Sequence, residues 1–182
     1  VHIHAALHRT HDQLLDNSAI RRDLCALFDQ KGELCAQAAH IPVHLGSMAY
    51  AMADIVGQFE WAERDVLVLN DPYLGGTHLP DVTIVAPVML EGKLQGFAVN
   101  RAHHANIGSE SPGSMPITHL LEEEGIIISP QFLLHKGELN QTLWRSLTPI
   151  HGQKDNFHLN GDMAAQVSSV NAGVLRLQEL IR

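Results

Sequence analysis

Two apolar runs that are separated by only three residues constrain the fold of this chain most strongly. The runs are Val82 to Leu90 and Leu94 to Val99, and the segment Glu91-Gly92-Lys93 between them suits a tight turn. This arrangement predicts a β-hairpin. Because a hairpin brings its two open ends together, the segment before the first run meets the segment after the second run at one edge of a sheet.

Residues with metal-binding side chains lie in both of these segments. His78 and Asp81 come just before the first run, and His103 comes just after the second. Neutral imidazole and ionised carboxylate groups hold Zn, Mn or Fe(II) in proteins and leave coordination positions open for water or substrate. We therefore predict that His78, Asp81 and His103 bind a divalent metal ion at the ends of the strands.

The neighbours of these residues are candidates for other roles. His104 directly follows His103, and successive side chains of an extended segment point to opposite faces, so we expect His104 beside the ion as a supporting group or substrate contact. Asp71 precedes Pro72, where an aspartate commonly only begins a turn. We assign Asp71, Arg101 and His104 as candidates for proton transfer and for neutralising negative charge that develops in a reaction.

Further patterns predict the elements around the hairpin. A helix is predicted at 4–15, a pair of strands at 24–28 and 34–37, and a short strand at 66–69. A second helix is predicted to begin with Ser47 as its cap, and its apolar residues recur at helical spacing: Met48, Met52, Ile55, Val56 and Phe59. Together these elements predict an α+β fold in which helices flank a mixed or antiparallel sheet and the metal site lies at the strand ends.

A last helical pattern runs to the end of the chain. Its apolar residues alternate at spacings of four and three: Met163, Val167, Val170, Val174, Leu177 and Ile181. This apolar face packs either on the core of the chain itself or on a partner or further domain. The pattern favours neither alternative.

Composition and missing motifs narrow the class of protein. The net charge is −8 and the only basic cluster is Arg21-Arg22, which argues against a nucleic-acid partner because phosphate neutralisation needs clustered Lys and Arg. The chain has no signal peptide, no apolar run of membrane-spanning length and only two cysteines, so we expect a cytoplasmic protein without a membrane partner. It also lacks a glycine-rich phosphate-binding loop, so the sequence contains no recognisable nucleotide-binding motif.

Six strings spread over nearly the whole chain carry a resemblance to a known family. They are Arg22–Asp29, His40–Met48, Asn70–Asp81, Asn100–His104, Ser111–Pro116 and Gly161–Gln166. Together they resemble the hydantoinase B/5-oxoprolinase family. That family includes N-methylhydantoinase B-type subunits, one half of the 5-oxoprolinases and the related subunit of acetone carboxylases.

The resemblance implies an ATP-dependent hydrolase of cyclic amides that works in the cytoplasm. ATP would be bound by a hydantoinase A-like partner subunit or domain. The resemblance also implies a divalent metal (Zn, Mn or Fe) at positions similar to His78 and His103. Asp81 and Asp23 are the carboxylates that would complete the shell, and Asp23 is proposed mainly from the resemblance.

The chain departs from the family in two respects. Residues 16–22 read Asp-Asn-Ser-Ala-Ile-Arg-Arg, whereas the family more usually has a Ser-x-Asn-Ile-Lys-Glu-type string, so a substrate contact there is expected to differ. Family subunits are also several times longer than this chain. We therefore expect residues 1–182 to be a single region that corresponds to the N-terminal part of such a subunit and depends on the remainder for activity.

Other functions are open at this level. A subunit like that of acetone carboxylase would carry a similar metal site for a different substrate, and a catalytically silent metal-binding or assembly module would bind an ion and a partner without turnover. Less favoured alternatives are an Fe(II) oxygenase with two histidines and one carboxylate, and an interaction domain without metal. His4 and His8, at i,i+4 spacing in the helix predicted at 4–15, could also bind metal adventitiously.

Overall fold

A seven-stranded sheet forms the centre of the molecule in a computed structural model that describes residues 24–37, 46–109, 118–147 and 157–182. Every pair of neighbouring strands in this sheet is antiparallel. The strands follow one another in space in the order β2-β1-β5-β4-β3-β6-β7. Their bounds are β1 Leu24–Asp29, β2 Leu34–Gln37, β3 Val66–Leu69, β4 Asp81–Leu90, β5 Lys93–His103, β6 Gln131–His135 and β7 Glu138–Leu139.

The predicted hairpin is confirmed and lies at the middle of the sheet as β4 and β5. Its turn uses Glu91 and Gly92, whose φ angles of 51° and 73° match the left-handed backbone of a tight hairpin turn. Pairing continues past the apolar runs, so that Asp81 lies directly opposite His103. The two strands thus extend to the residues that were predicted to bind metal.

Helices cover both faces of the sheet. Helix α1 (Ser47–Ile55) packs on one face through Met48, Met52 and Ile55, and helix α3 (Phe157–Ile181) packs on the other through Met163, Val170 and Leu177. Because the central strands are buried on both faces, they read as continuous apolar runs without alternation. The prediction of an α+β fold with flanking helices is confirmed, and the sheet is antiparallel. Shorter helical segments are α2 (Gln141–Ser146) and the 3₁₀ turns Pro72–Leu74 and Leu121–Glu123.

The last helix packs on the sheet of its own chain. Met163, Val170 and Leu177 are at most 4% exposed and join the core of β3, β4 and β5. The remaining positions of the apolar face, Val167, Val174 and Ile181, are partly buried against the same core. Packing within the chain therefore explains the apolar pattern of α3, and packing against a partner is not needed to explain it.

The predicted capping role of Ser47 is wrong. Helix α1 begins at Ser47 itself, the preceding Gly46 is its N-cap residue, and the cap has no side-chain hydrogen bond. The Ser47 hydroxyl instead accepts a hydrogen bond from Arg101 at 2.7 Å. Without this acceptor, the buried guanidinium of Arg101 would lose one of its hydrogen bonds. That loss would cost more than a side-chain cap by Ser47 would contribute.

Several predictions concern residues outside the described ranges. These are the helix at 4–15 with His4 and His8, the carboxylate Asp23, and the segments 40–45 and 111–116. Within the described ranges, no helix combines the length and apolarity that a bilayer crossing requires.

Candidate metal centre

Three side chains that can ligate a metal converge at the open end of the β4/β5 hairpin. His78, Asp81 and His103 each offer one ligand atom, and these atoms all lie within 4.8 Å of one another. Asp81 is the first residue of β4 and His103 the last of β5, and their Cα atoms are paired across the ladder. The imidazole rings of His78 and His103 stack with centroids 5.4 Å apart and planes inclined by 21°.

The turn that carries His78 is held in place by Asn70, which is fully buried. Its amide nitrogen donates hydrogen bonds to the carbonyl oxygens of Leu79 at 2.7 Å and Ile126 at 2.9 Å. Its amide oxygen accepts from the backbone N–H of Ile128 at 2.6 Å. A single side chain at the end of β3 therefore fixes the loop 70–81 and the segment 126–128 together.

Two glycines allow the same loop to pack closely. Gly75 has φ 90°, and a Cβ built on it would lie 2.4 Å from the Cβ of Ala51 in α1. A Cβ on Gly76 would lie 2.4 Å from the carbonyl oxygen of Asn70. Distances this short are not possible between non-bonded atoms, so the loop reaches this position only with glycine at both places.

Asp81 and His103 contact each other directly. Asp81 Oδ1 lies 2.9 Å from His103 Nδ1, and Asp81 Oδ2 accepts a hydrogen bond from the Thr77 hydroxyl at 2.8 Å. His103 Nε2 is buried and has no hydrogen-bond partner in the described part of the chain. A buried imidazole nitrogen without a partner is costly unless a ligand engages it.

The donor set fits a divalent metal ion. Two imidazoles and one carboxylate are the ligand types of Zn, Mn and Fe(II) sites. The unpartnered Nε2 of His103 and the short separations within the cluster are the observations that favour this fit. The hydrogen bond from Thr77 to Asp81 was not predicted, since nothing in the sequence around Thr77 distinguishes it from an ordinary loop residue.

Arg101 lies two pairs of residues deeper in the hairpin than His103, opposite Thr83. Its side chain is 2% exposed, and its donors are held by the Thr83 hydroxyl at 2.8 Å, the Ser47 hydroxyl at 2.7 Å and the Gly75 carbonyl at 2.8 Å. Burial lowers the pKa of the Arg101 guanidinium below its ordinary value, and the nearby Asp81 carboxylate opposes that shift. Arg101 thus connects β4, β5, helix α1 and the loop 70–81, which we call the site loop. Its charge lies close to Asp81.

His104 lies on the other side of the sheet from His103. Its ring is buried and its Nε2 lies 2.6 Å from the amide oxygen of Gln166 in α3. Burial lowers the pKa of His104 below its ordinary value, while the hydrogen bond to Gln166 and the charge of Asp162 act in the opposite direction. The structure therefore brings His78, Asp81 and His103 together and places His104 against α3, as the alternation along an extended strand predicted.

Asp71 has a local role in the site loop. Its carboxylate accepts a hydrogen bond from the backbone N–H of Tyr73 at 3.0 Å and caps the 3₁₀ turn Pro72–Leu74. This is the turn-forming role that an aspartate before proline commonly has. Asp23, the fourth proposed ligand, lies outside the described residues.

Known proteins resemble this chain over most of its length. The family described as hydantoinase B/oxoprolinase matches residues 19–182. The 5-oxoprolinase of Dictyostelium discoideum is 36% identical over 162 residues, which cover 86% of this chain and 12% of that protein. The caprolactamase subunit beta of Pseudomonas jessenii is 33% identical over 159 residues, which cover 86% of this chain and 27% of that subunit.

Solved structures share the fold. The crystal structure of the ATP-dependent caprolactamase from P. jessenii superposes with a TM-score of 0.86 at 29% identity, covering 98% of this chain and 33% of that chain. A nucleotide-free acetone carboxylase superposes with a TM-score of 0.74 over 99% of this chain and 24% of that chain, and at 15% identity it shows the fold alone. The chain thus spans between 12% and 33% of the length of these proteins. On the family match and these relatives, the chain belongs to the hydantoinase B/oxoprolinase family.

Proposed function

We propose that this chain is the metal-bearing part of an ATP-dependent hydrolase of cyclic amides. The observation that carries the proposal is the convergence of His78, Asp81 and His103 at one end of the central hairpin in a member of this family. Its relatives include a 5-oxoprolinase and a caprolactamase, and the compounds in both names are lactams. The substrate class we propose is therefore a small cyclic amide such as a lactam or a hydantoin.

The residues present would hold the ion as follows. His78 and His103 would supply imidazole nitrogens, Asp81 the carboxylate, and Asp23 is the further candidate ligand that the family resemblance suggests. A divalent ion in such a site supplies Lewis acidity and lowers the pKa of a water molecule that it binds. In the net reaction, the oxygen of water adds to the carbonyl carbon, the ring C–N bond breaks and the ring nitrogen gains a proton.

The other site candidates predicted from the sequence are Asp71, Arg101 and His104. Their surroundings differ, and we propose different roles for them. The donors of Arg101 are engaged by protein oxygens, so its fixed charge would support negative charge at Asp81 rather than transfer a proton. Asp71 and His104 remain the candidates for proton transfer. His104 follows the proposed ligand His103 in sequence but faces helix α3, and Asp71 caps the 3₁₀ turn of the loop that carries His78.

The proposed reaction depends on a second protein or domain. Amide resonance makes an unactivated lactam a poor electrophile, and coupling to ATP is a chemical solution to that problem. The chain carries no recognisable phosphate-binding loop. We therefore propose that a hydantoinase A-like partner binds ATP, in keeping with the description of the Pseudomonas relative as a subunit of an ATP-dependent caprolactamase.

The test is reconstitution of a complex between the ATP-binding partner and a subunit that carries residues 1–182 together with the remainder present in the longer relatives. ATP hydrolysis and ring opening are measured with 5-oxoproline, a hydantoin and caprolactam, each with and without bicarbonate, and the His103→Ala complex serves as the control. We expect bicarbonate-independent ring opening that is coupled to ATP hydrolysis and lost in the control. Carboxylation that requires bicarbonate would instead support an acetone carboxylase-like subunit. A complex that holds metal and partner without any turnover would show a silent assembly module.

A further inference from the structure

The side chain of Gln166 connects helix α3 to both strands of the site hairpin. It is 1% exposed. Its amide nitrogen donates hydrogen bonds to the Val82 carbonyl on β4 at 3.0 Å and to the Asn100 side-chain oxygen on β5 at 3.1 Å. Its amide oxygen lies 2.6 Å from His104 Nε2. Every polar atom of this buried amide is thus engaged at the end of the hairpin that carries the proposed ligands.

These contacts determine which nitrogen of His104 carries the hydrogen in the neutral ring. The Asn100 amide nitrogen donates to the Gln166 backbone carbonyl at 3.0 Å, so the Asn100 side-chain oxygen is the atom left to accept from Gln166. The Gln166 amide oxygen therefore faces His104, and an amide oxygen only accepts. His104 must then donate from Nε2, and its Nδ1, which is buried without a hydrogen-bond partner in the described part of the chain, is the unprotonated nitrogen.

The residues that Gln166 holds adjoin all three proposed ligands. Val82 follows Asp81, and His104 follows His103. The backbone N–H of His104 donates to the carbonyl oxygen of Pro80 at 2.9 Å, and Pro80 lies between His78 and Asp81. One turn earlier on α3, Asp162 accepts a hydrogen bond from the backbone N–H of Ala105 at 3.1 Å, which reinforces the same connection.

We propose that Gln166 is a positioning residue for the metal centre, which holds His104 as its Nε2–H tautomer and fixes the two arms of the hairpin at the spacing the ligands require. This inference rests on the proposed metal-binding function. The side-chain hydrogen bonds of Gln166 run to Val82, Asn100 and His104, so it would act on the proposed ligands through these residues. Residues that orient metal ligands from outside the coordination shell typically change metal affinity by about 10–100-fold when they are replaced.

The first measurement uses the wild-type chain. Nitrogen-15 NMR of histidine-labelled protein at neutral pH distinguishes a protonated ring nitrogen from an unprotonated one. We expect His104, assigned by its absence in His104→Gln, to be protonated at Nε2 and unprotonated at Nδ1. A His104 ring that is protonated at Nδ1 and unprotonated at Nε2 would overturn the inference, whether or not any Gln166 variant folds.

The second measurement compares two substitutions on the same helix. Gln166→Met keeps the length of the side chain and removes its hydrogen bonds, while Leu177→Ala removes a buried side chain at the far end of α3, in the same hydrophobic core as Val88. Affinity for Zn²⁺ is measured by competition with a chromophoric chelator. We expect affinity at least about tenfold weaker in Gln166→Met and unchanged in Leu177→Ala, even though both variants lower the stability of the fold.

The outcomes separate this inference from the proposed function. Equal Zn²⁺ affinity in Gln166→Met and wild type, together with loss of Zn²⁺ in His78→Ala, would overturn the positioning role and leave the metal site standing. Equal weakening in Gln166→Met and Leu177→Ala would also overturn it, because general destabilisation would then explain the loss. A wild-type chain that binds no divalent ion would overturn the proposed function itself.

Discussion

At the scale of single residues, Arg101 combines a structural and an electrostatic role. Its three hydrogen bonds join β4, α1 and the site loop, and its charge lies close to Asp81. A buried arginine persists only because its donors are engaged, and the oxygens around it depend on the same contacts. The position of the proposed metal centre relative to α1 therefore depends on this side chain.

Replacing Arg101 by methionine should strongly destabilise the fold. The substitution keeps an apolar stem but removes the donor to the buried Gly75 carbonyl and to the buried Thr83 hydroxyl, and each unsatisfied buried group costs about 1–3 kcal/mol. We expect the free energy of unfolding in urea to fall by about 3 kcal/mol or more. The matched control is Arg176→Met, which removes an exposed ion pair with Glu179 and should change stability by no more than about 0.5 kcal/mol. Equal losses in the two variants would show that Arg101 is not needed for packing.

Gly75 and Gly92 provide a second comparison at this scale. Both have positive φ, at 90° and 73°, but a Cβ on Gly75 would collide with Ala51 whereas a Cβ on Gly92 would meet no atom within 4 Å. Gly92→Ala should therefore cost only the backbone strain of about 1–2 kcal/mol. Gly75→Ala should cost at least about 2 kcal/mol more, because the site loop must move away from α1. Denaturation midpoints of the two variants measure this difference, and equal values would contradict the close contact between loop and helix.

At the scale of elements, helix α3 is a structural part of this chain. Val170 is 3% exposed against the sheet, whereas Leu175 on the opposite side of the helix is 60% exposed. Val170→Asp should lower the free energy of unfolding by about 3 kcal/mol or more, because it buries an unpaired charge. Leu175→Asp should change it by no more than about 0.5 kcal/mol. Circular dichroism of the chain alone tests both, and an equally stable Val170→Asp variant would show that this face of α3 packs elsewhere.

The sequence was most informative about the hairpin and its ends. Continuous apolar runs around Glu91-Gly92-Lys93 predicted β4 and β5, and the geometry of a hairpin then placed His78 and Asp81 beside His103. This step needs only local patterns, because a short turn fixes which strand pairs with which. The alternation of side chains along an extended strand also predicted that His103 and His104 lie on opposite faces.

Other features depend on contacts between residues distant in sequence, and local patterns could not reveal them. Gln166 lies on a helix where a polar residue usually faces solvent, yet it is buried because β4 and β5 present acceptors to it. Ser47 was predicted as a cap because the local sequence cannot show that Arg101, 54 residues away, uses its hydroxyl. Periodicity showed that α3 has one apolar face, but not which surface covers it.

At the scale of the whole molecule, the chain provides only part of the proposed enzyme. It spans 12% of the related 5-oxoprolinase and 27% of the related caprolactamase subunit. We predict that the isolated 182-residue chain hydrolyses neither ATP nor 5-oxoproline at a measurable rate, because it contains no recognisable nucleotide-binding loop. Phosphate release and amino-acid formation are the two readouts. Turnover of ATP with 5-oxoproline or a hydantoin by the chain alone would show that the reaction needs no ATP-binding partner.

The metal content of the purified chain tests the central claim most directly. Elemental mass spectrometry is applied to the wild type, His78→Ala, His103→Ala and the double variant His4→Ala/His8→Ala, with circular dichroism to confirm that each is folded. We predict about one divalent ion per chain in the wild type and in the N-terminal double variant, and loss of most of it in His78→Ala and in His103→Ala, because each removes one of the ligands. Full stoichiometric metal in both single variants would contradict the assignment of the site, and loss confined to the double variant would show that the ion binds the N-terminal histidines instead.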